Sequence, residues 1–174
     1  MNQYSQKLGE LAIYWLYEDA KTVKIEDIFA LEKIIQHQLP QDYTEFLMNY
    51  NVIAFDNYVE FPLIEECFGE DWKSIDLFWG IVYDEARDIG HQYINNYKDR
   101  LPNGLLPIAS DAGDNIICIG IAEDIKGEIY FWDFEEELHD PDDEDLEDPF
   151  YNTCLVAHSF SEFINSMRIE EELD

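Results

Sequence analysis

Seven carboxylates, those of Asp140, Asp142, Asp143, Glu144, Asp145, Glu147 and Asp148, crowd into the stretch HDPDDEDLED from His139 to Asp148. Carboxylate oxygens at this density are the ligands a hard cation such as calcium takes. The spacing does not suit a calcium loop. With Asp140 at the first position, Asp142 and Glu144 fall at the third and fifth. The sixth is then Asp145, where the sharp turn needs glycine, and the twelfth is Tyr151, where a bidentate glutamate belongs. Starting at Asp143 puts Asp148 and Cys154 in those places, which is no better. A second short cluster, Asp111 and Asp114 around Gly113, is explained by a tight turn that needs glycine. No metal or cofactor is expected.

Other chemistries find little support. The chain has no GxSxG, phosphate-binding loop, GxGxxG or HExxH pattern. His37, His91, His139 and His158 are scattered without partner spacing, and His158 reads as a half-buried polar residue at a strand end. With 40 acidic residues, some carboxylates must lie close together, so a close pair carries no information about acid–base catalysis. Cys67, Cys118 and Cys154 are odd in number and far apart, which predicts buried thiols in a reducing compartment. The expectation is a binding protein and not an enzyme.

The charge says what such a protein could bind. Forty acidic against 10 basic residues leave a formal net charge of −30 over 174 residues. Nucleic acid and anionic membranes are disfavoured, because binding phosphate requires Lys and Arg to displace counterions. Cationic proteins are attracted. The field is local as well: from Leu101 to Met167 there are 17 acidic residues and one basic residue, Lys126. Its crest, from Asp133 to Asp148, reads as an exposed loop between two strands. The N-terminus has no basic region before its short apolar stretch, and nothing later resembles a membrane span, so a cytoplasmic protein is expected.

The elements that must carry these residues follow from periodicity. At 47% apolar and 15% aromatic residues, the chain can fold around one core. Leu8, Leu11, Ala12, Trp15 and Leu16 predict an amphipathic helix over the first 20 residues. Ile28, Leu31, Ile34 and Ile35 predict a second helix from about Glu26 to Gln38, and Pro40 starts a third that runs through Tyr50. A short strand is expected from Tyr58 to Leu63, another at IDLFWGI, and a helix from Asp84 to Asn96. The second half changes character. LLPIA, NIICIGIA and GEIYFWDF are β-rich runs joined by short turns, followed by a strand at TCLVAHSF. Ser159 and Glu162 sign the start of a last helix with Phe160, Phe163, Ile164 and Met167 as its apolar face. The class is therefore α+β, with helices packed on a largely antiparallel sheet.

Four ordered blocks carry a resemblance. LEKIIQHQLPQDYTEFLMNYN, LPNGLLPIASDAGDNIICIGI, GEIYFWDFE and VAHSFSEFI together resemble the Smi/Knr-type branch of the SUKH superfamily, over about Ile25 to Ile169. The resemblance divides the chain into an N-terminal helical extension, residues 1–24, and a single SUKH-like domain, residues 25–174. Asn51 is followed by Val52 and Ile53, where that family often has two glycines. No catalytic residues come with the family. Its bacterial members imply an immunity protein that binds and neutralises a cognate toxin, often a nuclease. Its fungal members imply the alternative, a regulatory scaffold for a basic cellular partner.

Either partner would meet the negative field. The expected contact residues are Asp111, Asp114, Asp133, Glu135, Glu136, Asp140, Asp142, Asp143, Glu144 and Asp145. Trp72 and Trp79 are alternative aromatic anchors, the residue type that holds most interface energy. Oligomeric state is not legible.

Overall fold

A long hairpin and a meander share one antiparallel sheet. The computed structural model describes residues 2–137 and 148–171. After a short helix, α1 (Ser5–Glu10), come strand β1 (Ile13–Trp15) and helices α2 (Ile25–Ile35) and α3 (Gln41–Asn49). The hairpin follows as β2 (Ile53–Cys67) and β3 (Glu70–Phe78). A helical turn, α4 (Ile89–Gln92), continues as a π-helical segment, Tyr93–Tyr97. The meander is β4 (Leu105–Ser110), β5 (Ile116–Gly120), β6 (Ile129–Trp132) and β7 (Thr153–Ala157). Helix α5 (Phe160–Ser166) and a two-residue strand, β8 (Arg168–Ile169), complete the order. The strands lie in sequence from β1 to β7, with β8 pairing on β2.

The helices and the sheet bury aromatic residues against each other. Phe46 of α3 lies 4.8 Å from Phe78 of β3 and 4.9 Å from Phe160 of α5, measured between ring centroids. Phe61, Phe131 and Phe163 extend this cluster beneath β2. Such rings bury large apolar areas, and their tilted and edge-on geometries add to the gain. Every residue of β5 is buried, so both of its faces are covered, which explains its unbroken apolar run. Neighbouring Phe131 and Trp132 show the two faces: Phe131 meets Phe61, while Trp132 meets Tyr97 of the π-helical segment.

Several expectations need correction. The first 20 residues do not form one helix. The helix ends at Glu10, Ala12 turns with φ of 53°, and Ile13–Trp15 pairs with Ile53–Phe55. The β-branched and aromatic residues Ile13, Tyr14 and Trp15 suit that edge position, and pairing overrides the helical spacing. The strand expected at Tyr58–Leu63 is the middle of the much longer β2, and the helix expected from Asp84 begins only at Ile89. Asp88 accepts the His91 N–H there as the true cap, at 2.8 Å. The last helix starts where expected, with Ser159 accepting from the Glu162 N–H at 3.1 Å.

The cysteines also depart from expectation. Cys67 and Cys154 are joined by a disulfide, with Cα atoms 6.1 Å apart, and Cys118 alone is a free, buried thiol. The pair is 87 residues apart in the chain, and only the curl that brings the end of β2 back onto β7 makes them neighbours. Spacing in sequence carries no trace of that curl.

Val52 and Ile53 occupy the places of the two glycines, and Asn51 before them takes the left-handed turn itself. It adopts φ of 55° and is fully buried. Its amide donates to the carbonyls of Ala20 and Ile81 and accepts from the Ile81 N–H. A Cβ at Gly80 would overlap that side chain, so glycine is required at the crossing. Asparagine tolerates the left-handed conformation, and its amide ties the N-terminal segment, β2 and the exit from β3 together.

Candidate functional site

The sheet opens on one side of β3. Strand β4 pairs with β3 only at Leu77 and Phe78; beyond them the chain turns away at Asp111. The separation leaves a concavity of about 520 Å³. Glu70, Trp72, Lys73 and Ser74 of β3 form one wall, and the turns at Asp111–Asn115 and Asp133–Glu136 form the other. Tyr58, Glu60, Phe68 and Glu170 complete its lining. Its lining holds seven carboxylates against one lysine.

The expected residues divide by role. Asp111 is spent on its own turn: Oδ1 accepts the N–H groups of Gly113 and Asn115 at 2.8 and 2.9 Å, and Oδ2 accepts the Asn115 amide. Asn115 Oδ1 then accepts the Phe134 N–H at 2.9 Å and so links the two turns. Asp133 is buried, and its Oδ1 accepts the N–H groups of Glu135 and Glu136. These are the local side-chain-to-backbone bonds that make aspartate a turn former. Glu135 and Glu136 stand exposed on the resulting rim. Asp114, exposed at the turn apex with φ of 65°, is not part of the lining. Asp140, Asp142, Asp143, Glu144 and Asp145 lie outside the described residues.

Arg100 fixes the far end of the rim. Its Nε and Nη2 donate to the two oxygens of Glu137 at 2.9 and 2.7 Å. The guanidinium also lies 5.2 Å from the ring centroids of Tyr97 and Trp132, and 5.8 Å from that of Phe134. Its pKa is raised, first by the Glu137 bonds, so it stays a cation.

The other wall already holds two cations from the chain itself. Arg168 lies 3.6 Å over the Trp72 ring and donates from Nε to Glu60 at 2.7 Å. Lys73 pairs with Glu70, and its ammonium sits 4.9 Å over Phe131. This wall offers both carboxylates and aromatic faces, the two partners a guanidinium takes. Of the alternative anchors, Trp72 belongs to the wall, while Trp79 is buried and faces Tyr97.

Sequence reasoning missed Tyr58, Glu60, Phe68, Glu70 and Glu170. The signal available was the mix of acidic and aromatic residues from Tyr58 to Trp72, of which the spacing predicts only Tyr58–Leu63 as a strand. Among the described residues, no group of three or more His, Cys, Asp or Glu could hold a metal ion. None of the described helices is long and apolar enough to cross a membrane.

Comparison with known proteins places the chain by family and by relative. The model of the SMI1 / KNR4 family (SUKH-1) matches residues 22–166. The chain is also similar to the SPbeta prophage-derived uncharacterized protein YokK of Bacillus subtilis (strain 168). The two are 33% identical over 162 residues, which covers 86% of this chain and 76% of the relative.

Proposed function

The chain belongs to the SMI1 / KNR4 family (SUKH-1), and from that membership we propose that it is a non-enzymatic immunity protein whose acidic cleft binds and neutralises a basic toxin. The observation that carries this reading is the lining of the cleft, seven carboxylates with Trp72, Tyr58 and Phe68 among them, which outnumber the two cations laid on its wall, Lys73 on Glu70 and Arg168 on Glu60. A concave acidic surface concentrates field lines and speeds encounter with a cationic partner. Aromatic residues within it supply the desolvated anchors that hold a complex once formed. A toxin that grips phosphates carries the complementary basic surface, and a carboxylate-lined cleft would occupy it.

The proposed setting is the cytoplasm. Disulfides seldom persist there, so the fold must hold with Cys67 and Cys154 reduced. The packing of β2 on β7, and of Phe61 between Phe131 and Phe163, supports that.

The test is to co-express the chain with a candidate toxin taken from the genes next to its own and to titrate the purified pair. Protection of cells together with a one-to-one complex supports the reading. A chain that neither protects nor binds that toxin, but binds a basic cellular protein, would make it a regulatory scaffold.

A further inference from the structure

The cleft runs along backbone as well as side chains. Strands β2 and β3 pair antiparallel, Val59 with Ile75, Glu60 with Ser74, Phe61 with Lys73 and Pro62 with Trp72. On the opposite side of β2, the Glu170 N–H donates to the Tyr58 carbonyl at 2.9 Å. Backbone groups of a strand alternate in direction, so Tyr58, Glu60 and Pro62 point toward β8, and Val59 and Phe61 point toward β3. Pro62 is tolerated because it has no N–H to offer on that outer side. It follows that Lys73 and Ile75 bond to β2, while Trp72 and Ser74 direct their N–H and C=O groups away from it. Among the described residues, no strand pairs with β3 there, since β4 reaches only Leu77 and Phe78. Trp72 and Ser74 line the cleft.

We propose that the cleft receives an extended, basic segment of the partner as an added strand on the open edge of β3. This rests on the acidic cleft being the partner-binding face. An unpaired strand edge is a template for another chain, and strand addition is a recurrent way of binding peptides. At about 3.3 Å per residue, a segment of about six residues spans the wall from Glu70 to Asp76. Its Lys and Arg side chains would face Glu70 on one wall and Glu135 and Glu136 on the other. The same charges select the occupant. A second copy of this chain would bring its own Glu70, Asp71 and Asp76 and a net charge of −30, so self-pairing is repelled while a basic strand is drawn in.

The test uses the full chain, isotopically labelled, and two synthetic octapeptides of alternating Arg and Val. One is unmodified. The other is N-methylated at two adjacent central residues, which blocks both of its hydrogen-bonding edges and leaves its charge unchanged. The unmodified peptide is expected to slow amide exchange at Trp72 and Ser74 by about tenfold or more, and the methylated one to bind about tenfold more weakly. In a second arm Ser74→Pro, which removes an outward N–H, should lose the unmodified peptide while Ser74→Ala keeps it. If Ser74→Pro fails to fold, the peptide pair decides. Equal binding of both peptides, with shifts confined to Glu135 and Glu136, overturns strand addition and leaves the acidic face standing. No shift at this face with either peptide overturns both.

Discussion

Arg100 grips both oxygens of Glu137 while its guanidinium packs among Tyr97, Trp132 and Phe134. The pair ties the rim of the cleft to the π-helical segment on the far side of the sheet, so the positions of Glu135 and Glu136 depend on a residue outside the cleft. A lysine cannot reproduce the two parallel bonds or stack as a plane. Arg100→Lys should lower stability by about 1–2 kcal/mol in urea melts and speed amide exchange at Glu135 and Glu136. Unchanged exchange there would show that the rim holds without the latch.

Asn51 makes three buried hydrogen bonds from a left-handed backbone. Asn51→Ala strands the Ile81 N–H and strains the turn, and should cost about 2–4 kcal/mol by chemical denaturation. Gly80→Ala should be similarly harmful because its methyl meets the same amide. A loss below about 0.5 kcal/mol in both variants would mean that the crossing relaxes freely.

The disulfide closes a long loop between β2 and β7. Thiol titration of the oxidised, denatured chain should find one free group, Cys118, and reduction should expose three. Reduction should lower stability by about 2–4 kcal/mol yet leave a cooperative thermal transition. Loss of that transition would place the disulfide among the conditions for folding.

Cys118 is fully buried, and desolvation pushes its thiol well above the usual range. Above the ordinary thiol pKa of about 8.5, the unfolded chain ionises this group while the folded chain keeps it protonated. Stability from this group is therefore complete below that pH and declines as pH rises through it. In the native protein, alkylation of Cys118 should stay slow from pH 7 to 9. Rapid labelling in that window would show that the core opens around β5.

Much of this architecture was legible from spacing. The meander, the last helix and the family resemblance all rest on contiguous segments whose periodicity survives in the fold. What was not legible depends on contacts between distant segments. Ile13–Trp15 becomes a strand because β2 offers it an edge, and Cys67 meets Cys154 because β2 curls. The cleft has the same origin. Asp111, Asp133, Glu135 and Glu136 could be picked out as acidic residues in turns, but Glu60, Glu70 and Trp72 join them only through the opening between β3 and β4. Sequence also could not separate the carboxylates that build the turns from those that face a partner.

That separation yields the most direct test of the acidic cleft as the partner-binding face. Glu135 and Glu136 project from the rim without holding it, so Glu135→Gln combined with Glu136→Gln removes charge and leaves the turns in place. Calorimetric titration of this double variant with the neutralised toxin, at low and physiological salt, should show affinity reduced by about tenfold or more and a weaker salt dependence, with the melting temperature unchanged. Wild-type affinity and wild-type salt dependence in a folded double variant would contradict the account.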